Sequence, residues 1–367
     1  MQFESPEAVM RHALALAARG VGHVEPNPPV GAVIVDDDLR LIGEGFHERY
    51  GGPHAEVGAL QQAGDRARGA ILFVTLEPCA HFGKTPPCAP AVVAAGIKRV
   101  VIALQDPFPN VDGRGVRILR EAGIEVQMGL LEAETRRLTA PFLKLITTAM
   151  PYVHAKWAMT LDGRIATATG ESKWISGLPC RAIVHQLRGR VDAVVVGIET
   201  ALADDPLLTA RPSGPRTATR VVFDSRGRLP LDSQLVKSAN ATPLLVIASD
   251  GAPAARLKAL RDNGVTVMVT TTRGTSGADV VREVLAEFGR MRMTNVLVEG
   301  GGRLLGSFFD ADQVDEIHIF IGPKVIGSRN ARSPAAGVGT AAIAEARGFT
   351  LEHVERFGGD VYLRYVR

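Results

Sequence analysis

Apolar and polar residues follow one another along the first part of the chain in patterns typical of helices and strands. Ser5-Pro6-Glu7 predicts a helix start, and apolar residues then recur at helical spacing until Gly20. Strands are predicted at GAVIV, LIGEGFH, ILFVTLEPC, RVVIALQD and IEVQMG, and helices at 54–63, 87–95, GVRILREAG and 132–148. The first two strands form a hairpin, and the order α-β-β-α-β-α-β-α-β predicts a mixed sheet covered by helices.

A new pattern begins near Pro151, and we place a domain boundary between residues 148 and 149. Strands are predicted at YVHAKWAM and DAVVVG, a helix at 181–190, and a helical turn with a loop at 200–209. TRVVFDS, PLLVIAS, VTVMVT and NVLVEG predict four further buried strands, whereas 314–321 and the pair around Gly358-Gly359 predict antiparallel edges. Residues 232–243 and 250–264 carry no recognisable motif.

Composition agrees with two globular domains. The chain has 367 residues, of which 46% are hydrophobic and 22% charged, and its net charge of +3 allows anionic substrates without indicating a nucleic-acid surface. Its 3 cysteines cannot form a disulfide framework, which favours a reducing compartment. The start MQFESPE does not resemble a signal peptide, and no apolar run reaches the roughly 20 residues that span a bilayer. We therefore expect a cytoplasmic protein without membrane contact.

One imidazole and two thiols stand at positions that suit a zinc site. His54, Cys79 and Cys88 match a site with three protein ligands and an open fourth position, and Glu56 can carry protons beside it. Zinc nucleobase deaminases have H-x-E followed by P-C-x-x-C, with the Glu not a ligand. Here the longer segment AHFGKTPP separates the two cysteines. The alternative interpretation is a structural zinc site closed by His81 as a fourth ligand.

Four segments of this part resemble a known family. PNPPVGAVIV, HAEVGAL, TLEPCAHFGKTPPC and QDPFPNVDGRG are similar to the deaminase half of the bifunctional riboflavin-biosynthesis deaminase-reductases. The resemblance implies a cytidine-deaminase-like three-layer αβα domain over 1–148 and a pyrimidine phosphate substrate. The substrate-binding residues that it implies are Asn27, His81, Lys84, Thr85 and Asp106. Where the family commonly reads Asp-Pro-Asn-Pro, this chain has Phe108 as the third residue, so either Asn110 replaces that contact or the contact is lost.

The second part contains a glycine cluster between a predicted strand and a predicted helix. Backbone amides of Gly300, Gly301 and Gly302 can face a pyrophosphate at the helix N-terminus. The spacing is not the Rossmann fingerprint, because Leu305 stands where the third glycine would be. The local sequence is equally consistent with a dinucleotide phosphate loop and with a simple tight turn.

Other segments resemble the reductase half of the same family: KWAMTLDGRIA, GESKWIS, TALADDPLLTAR, VVFDS and VEGGGRLLGSF. The resemblance implies a dihydrofolate-reductase-like α/β domain over 149–367 that uses NADPH. The NADPH-binding residues that it implies are Ala158, Trp174, Thr200, Asp204, Ser225, Gly300, Gly301, Gly302, Arg303, Leu304, Leu305, Gly306 and Ser307. The substrate-binding residues that it implies are Ser172, Arg188, Leu208, Arg211 and Glu299.

Several of these assignments also have a chemical basis. Arg188 and Arg211 are suitable bidentate partners for a phosphate, and Ser225 with Arg226 suits a 2′-phosphate. Lys156 and Asp204 are our candidates for proton delivery to the opening sugar. Trp174 could instead be a core aromatic residue, and Cys180 is predicted to be an inert small side chain.

The predicted function is two successive reactions on one chain. The first part, with zinc, hydrolytically deaminates a phosphoribosylamino-pyrimidine, and the second, with NADPH, reduces the ribosyl group to ribityl. Two other functions stay open at this point: a nucleic-acid deaminase with a binding appendage, and a non-catalytic binding module built around zinc. Nucleic acid and membrane are not expected partners, whereas the resemblance is compatible with a homo-oligomer.

Overall fold

A computed structural model describes residues 1–109, 111–272 and 276–367 of the chain. Contacts within the chain divide it into two compact units, Met1–Ala149 and Met150–Arg367, and each unit is described by itself. Among the described residues, no helix is both long and apolar enough to cross a membrane. The cytoplasmic location stays a prediction.

The first unit contains six helices and five strands among its described residues. The helices are α1 (Pro6–Ala18), α2 (Ala55–Ala63), α3 (Cys88–Ala94), α4 (Arg114–Glu121), α5 (Glu132–Leu138) and α6 (Ala140–Thr148). The strands are β1 (Gly31–Val35), β2 (Leu41–Phe46), β3 (Ile71–Leu76), β4 (Arg99–Leu104) and β5 (Glu125–Met128). The sheet has the order β2-β1-β3-β4-β5, with β1 antiparallel to both neighbours and the last three strands parallel. The predicted element order and the mixed sheet are confirmed.

Helices cover both faces of this sheet. The Ser5 hydroxyl caps α1 by accepting from the Ala8 amide, and the apolar side of α1 packs on one face. On the other face, α2, α3 and α4 bury their alanine and valine side chains against the sheet. The approach of α1 is close enough that a Cβ on Gly31 would lie 1.9 Å from the Ala13 carbonyl oxygen. Only glycine therefore fits at the start of β1.

The helix predicted at 132–148 is wrong as one element. The structure has two helices, α5 and α6, joined at Thr139. Pro141 lies in the first turn of α6, and because it has no N–H it cannot continue the hydrogen bonding of α5. The Thr139 hydroxyl instead donates to the Thr135 carbonyl at 2.7 Å.

The second unit contains six helices and nine strands among its described residues. The helices are α7 (Leu178–Arg188), α8 (Ile198–Asp204), α9 (Gln234–Lys237), α10 (Ala254–Asp262), α11 (Gly277–Arg290) and α12 (Gly302–Asp310). The strands are β6 (Tyr152–Met159), β7 (Ala193–Gly197), β8 (Thr219–Phe223), β9 (Leu244–Ser249), β10 (Thr266–Thr270), β11 (Asn295–Val298), β12 (Glu316–Ile321), β13 (Thr350–Phe357) and β14 (Asp360–Val366).

The order of the nine-stranded sheet corrects two strand predictions. It runs β10-β9-β8-β7-β11-β6-β12-β14-β13, and every pair is parallel except those that involve β14. The strand within 314–321 is therefore not an edge, because β12 lies between β6 and β14. VTVMVT is not fully buried, because β10 is the edge strand and most of its residues are partly or fully exposed. Helices α9 and α10 occupy the two stretches without a recognisable motif.

Candidate active sites

The predicted zinc ligands converge in the first unit. Nδ1 of His54 lies 3.5 Å from Sγ of Cys79 and 3.2 Å from Sγ of Cys88. In a tetrahedral zinc site, a nitrogen at about 2.1 Å and a sulfur at about 2.3 Å from the metal stand about 3.6 Å apart. These three residues form one of the groups of possible metal ligands, and His81 does not belong to it. Within the described residues, the donor set thus fits zinc with an open fourth position.

Each zinc ligand is presented at the end of a secondary-structure element. His54 is the N-cap residue of α2, Cys88 is the first residue of α3, and Cys79 follows the end of β3. The two thiols share a proton, and this hydrogen bond is the largest effect that lowers the pKa of Cys79 to about 4, while the pKa of Cys88 is raised. The Cys88 amide also donates to Sγ of Cys79 at 3.3 Å. This lowered pKa favours the thiolate form of Cys79, which is the form that binds metals.

Glu56 lies in the first turn of α2, with only 3% of its surface exposed. Burial is the main cause that raises the pKa of its carboxyl group to about 7, and the negative charge of Cys79 raises it further. The carboxyl group also hydrogen-bonds with Cys88. A group whose pKa is near neutrality can both accept and release a proton, as a general acid-base residue must.

A second layer of side chains holds the His54 ring. Oγ1 of Thr85 lies 3.2 Å from Nε2 of His54, the nitrogen that faces away from the cysteines. The ring of His47 meets the His54 ring edge-on, with centroids 5.3 Å apart, and Asn27 is 3.3 Å from Nε2 of His47. His47 also contacts the Pro53 carbonyl at 2.9 Å. No motif in the sequence predicted a role for His47, which stands seven positions before His54.

The remaining predicted substrate residues of this unit lie around the same site. Nζ of Lys84 is 4.0 Å from the centre of the Tyr50 ring, and the His81 ring is 5.6 Å from the Phe108 ring. The carboxylate of Asp106 accepts from the Phe108 amide at 2.8 Å, and burial is the main cause that raises its pKa to about 7. Asn110, the suggested replacement for a family asparagine, lies outside the described residues.

Glu77 is a functional support that the sequence analysis did not assign. Its carboxylate is 3% exposed and accepts hydrogen bonds from the amides of Asp106, Gly113 and Val116 at 3.1–3.3 Å. It thereby ties the segment between β3 and Cys79 to the start of α4. A Cβ on Gly115 would lie 2.0 Å from the Pro78 carbonyl oxygen, so this approach also requires glycine.

The second unit has a cleft of about 1670 Å³. It is lined by nearly all residues predicted for NADPH and substrate, together with Lys156. They are Ala158, Ser172, Trp174, Arg188, Thr200, Asp204, Leu208, Arg211, Ser225, Glu299, Gly300, Gly301, Gly302, Arg303, Leu304, Leu305 and Ser307. Gly306 is the exception. A Cβ there would lie 2.3 Å from the backbone nitrogen of Gly337, so this glycine serves close packing of α12.

Three buried charges form a chain in the cleft wall. Glu299 accepts from Nε and Nη2 of Arg188 at 2.5 and 2.8 Å, and its carboxylate is 3.7 Å from Nζ of Lys156. Burial is the largest single effect on Glu299 and would raise its pKa, but the charge and hydrogen bonds of Arg188 together with the charge of Lys156 hold the pKa of Glu299 below its usual value. Burial lowers the pKa of Lys156, which makes its proton easier to transfer.

Arg188 differs from the prediction of a phosphate clamp. Its guanidinium group is paired in bidentate fashion with Glu299, and its Nη1 donates to the Thr209 carbonyl at 3.2 Å. Arg211 is exposed on the cleft and has no hydrogen bond or ion pair with the described residues. Of the two arginines, Arg211 is thus the one whose donors can meet a phosphate.

The rim of the cleft carries Trp174 and Asp204. The Trp174 side chain is 58% exposed and stacks on the guanidinium group of Arg181 at 4.0 Å, so the core-aromatic alternative is wrong. The Asp204 carboxylate accepts from the Ser172 hydroxyl at 3.3 Å and pairs with Lys173 at 3.4 Å. Arg228, rather than Arg226, is among the residues that line the cleft beside Ser225. Cys180 is buried among apolar side chains, as predicted.

The glycine turn can receive a dinucleotide phosphate. Gly300 and Gly301 have φ angles of +146° and +85°, which side chains disfavour. The Thr200 hydroxyl would be 3.3 Å from a Cβ on Gly301, so the turn closes against α8. The first amides of α12 have no partner within the helix, and the residues that carry them line the cleft. These features fit NADPH.

Comparison with known proteins gives the same two parts. Residues 3–104 match the family model "Cytidine and deoxycytidylate deaminase zinc-binding region", and 151–363 match "RibD C-terminal domain". The riboflavin biosynthesis protein RibD of Actinobacillus pleuropneumoniae is 42% identical over 97% of this chain and 94% of its own length. That of Escherichia coli is 38% identical over 98% of this chain and 99% of its own.

Solved structures agree along nearly the whole chain. The Acinetobacter baumannii RibD structure has a TM-score of 0.85 at 40% identity and covers 98% of both chains. A structure from Thermotoga maritima has a TM-score of 0.84 at 36% identity, again with 98% of both chains covered. It is described as a diaminohydroxyphosphoribosylaminopyrimidine deaminase and 5-amino-6-(5-phosphoribosylamino)uracil reductase.

Proposed function

The chain belongs to the RibD family of bifunctional riboflavin-biosynthesis enzymes, and we propose that Met1–Ala149 carries the deaminase site and Met150–Arg367 the reductase site. The enzyme hydrolytically deaminates 2,5-diamino-6-(5-phosphoribosylamino)pyrimidin-4(3H)-one. It then reduces the ribosyl side chain of 5-amino-6-(5-phosphoribosylamino)uracil to ribityl with NADPH. Family membership sets aside the nucleic-acid deaminase and the non-catalytic zinc module. A homo-oligomer stays a prediction.

In the deaminase site, His54, Cys79 and Cys88 would hold zinc, which supplies a Lewis acid that activates water at its open position. Glu56 takes the proton from that water and passes protons to a ring nitrogen and to the departing ammonia. The observation that supports this role is the buried carboxyl group of Glu56 beside Cys88, with a pKa of about 7. Asn27, His81, Lys84 and Asp106 are proposed to bind the substrate, and Thr85 to orient the His54 ring.

In the reductase site, the turn from Gly300 to Ser307 and the side chains of Trp174, Thr200 and Ser225 would bind NADPH, which supplies the hydride. Arg211 is proposed to bind the substrate phosphate. Lys156 is the better placed of the two candidate proton donors, because it is buried in the cleft wall beside Glu299, whereas Asp204 pairs with Lys173 at the rim. We propose that Glu299 and Arg188 position Lys156, and that Asp204 contacts the ligands.

The substitution Glu56→Gln tests the division of roles. Ammonia release should fall by about 10²–10⁴-fold because the proton carrier is lost. Zinc content should stay as in the parent chain, and NADPH oxidation on the deaminated substrate should continue at the parent rate. Glu48→Gln, at an exposed glutamate near the same site, is the control and should leave both activities unchanged. Zinc loss in Glu56→Gln would instead make Glu56 a ligand.

A further inference from the structure

A second group of metal-binding side chains lies on the sheet of the second unit. His154 is on β6, and Glu316 and His318 are on the adjacent parallel strand β12, where Glu316 stands opposite His154 in register. Nε2 of His318 lies 3.4 Å from Nδ1 of His154 and 3.1 Å from Oε1 of Glu316. The third side of this triangle, from Nδ1 of His154 to Oε1 of Glu316, is 3.8 Å.

These distances suit a shared metal ion. Nitrogen and oxygen ligands at about 2.0–2.2 Å from a tetrahedral zinc ion stand about 3.4 Å from one another. The ligand atoms of the first unit lie similarly close together: Sγ of Cys79 and Sγ of Cys88 are 3.5 and 3.2 Å from Nδ1 of His54. Two histidines and one carboxylate are also a ligand set that catalytic zinc sites use. The trio on β6 and β12 is therefore a donor set with the right chemistry and the right spacing.

The outward atoms of the three side chains are held by other residues, as the outer shell of a metal site requires. The partners are the Asn295 side-chain oxygen for His154 (3.1 Å), the Tyr362 hydroxyl for His318 (2.8 Å) and the Tyr152 hydroxyl for Glu316 (3.3 Å). The amide orientation of Asn295 is fixed because its Nδ2 donates to Thr294 at 3.1 Å. Nε2 of His154 must therefore carry the proton, which leaves the lone pair of Nδ1 directed into the triangle.

The interior of the triangle can thus be filled in two ways, by a proton on Nε2 of His318 or by a metal ion. The side chains of His154 and Glu316 are each 13% exposed, so the triangle is not fully sealed from solvent. One opposing charge is near: Arg364, opposite His318 in register, pairs with Glu352 at 3.5 Å and is thereby partly balanced.

We propose that His154, Glu316 and His318 bind one divalent first-row transition-metal ion, such as Zn²⁺, in the second unit. The ion joins β6 to β12, and Lys156 of the cleft is the next residue on the same face of β6. This site is separate from the ligands His54, Cys79 and Cys88, and the two reactions of the family do not call for it.

The test uses the full-length chain with both thiol ligands removed, Cys79→Ser/Cys88→Ser. After loading with zinc sulfate and removal of excess metal, the parent chain should hold about two zinc ions and the double variant about one. Adding His318→Gln or His154→Gln to the double variant should remove the remaining ion. Loaded with cobalt instead, the double variant should lack the thiolate charge-transfer band of the parent but keep the weaker d–d absorption of a nitrogen–oxygen site.

His353→Gln is the matched control, because this histidine on β13 packs beside Tyr362 but points its Nε2 at Glu355. It should leave the metal content of the double variant unchanged. The proposal is overturned if the double variant, folded by circular dichroism, holds no zinc, since the triangle then contains only a proton. It is also overturned if the double variant still holds about one zinc ion after either histidine substitution is added. Because His154 is more exposed than His318, the His154 variant decides if the other one does not fold.

Discussion

At the scale of single residues, Thr85 makes a contact that its predicted role did not include. The resemblance implied a substrate contact, whereas the structure has its hydroxyl 3.2 Å from the outer nitrogen of His54. Outer partners of this kind fix the ring of a metal-binding histidine, and their loss typically costs about 10–100-fold in metal affinity or activity. The sequence could not reveal this, because the contact joins two loops through folding and not through a motif.

We therefore expect Thr85→Val to weaken zinc binding about 10–100-fold, because the isosteric side chain keeps the shape but cannot hydrogen-bond to His54. The affinity is measured by competition with a chromogenic chelator on the full chain. Thr85→Ser keeps the hydroxyl and should keep most of the affinity. If Thr85→Val left the zinc affinity unchanged and raised only the KM for the pyrimidine, Thr85 would be a substrate contact after all.

The ion pair of Arg188 is a second contact that the sequence could not reveal. A sequence displays a guanidinium group but not the carboxylate that folding brings to it, and here Glu299, just after β11, is 111 positions away. The zinc ligands were predictable for the opposite reason. His54, Cys79 and Cys88 stand at two helix starts and just after a strand end, positions that the local sequence predicts.

At the scale of elements, the placement of α12 depends on Gly306. The resemblance counted this residue with the NADPH turn, but the loop 333–337 packs on it so closely that a Cβ would meet Gly337 at 2.3 Å. Sequence patterns correctly predicted that a helix follows Gly300-Gly301-Gly302. They could not predict which of its glycines faces the cofactor and which faces a neighbouring loop.

Gly306→Ala should therefore shift α12 or the loop against it, at a cost of about 1–3 kcal/mol in the free energy of unfolding. Because the first residues of α12 line the cleft, the KM for NADPH should rise several-fold. Urea unfolding and NADPH titration measure the two effects. Gly348→Ala, at a glycine with nothing within 4 Å of the added Cβ, is the control and should change neither. Unchanged stability in Gly306→Ala would mean that the loop adapts freely.

The strand predictions failed where position in the sheet, not local pattern, decides exposure. β10 contains a continuous apolar run and β12 has alternating apolar residues, yet β10 is the edge of its sheet and β12 is interior. The break between α5 and α6 could have been predicted, because Pro141 is visible in the sequence and removes a helical donor. The interior position of β12 could not, since it follows from the return of the last hairpin alongside it.

At the scale of the whole molecule, each unit has its own core and its own candidate site. The clusters around α1 and α2 belong to Met1–Ala149, and those around α7 and α11 belong to Met150–Arg367. Every contact that builds the zinc trio comes from the first unit, and every residue that lines the cleft of Lys156 comes from the second. The chain therefore carries two candidate sites, and the residues of each site all come from one unit.

Because each site lies within one unit, we expect two variants, each inactive at a different site, to complement one another in a mixture. Glu56→Gln should lose deamination, and Lys156→Gln should lose reduction because the proposed proton donor is gone. Supplied with the diamino substrate and NADPH, neither variant alone should form the ribityl product. An equimolar mixture should form it after a lag, during which the deaminated intermediate accumulates in solution. The lag should shorten as the Glu56→Gln chain is increased, because that chain supplies the working reductase. A mixture that released ammonia but never oxidised NADPH would mean that the intermediate must pass within one chain, and that the two sites depend on each other.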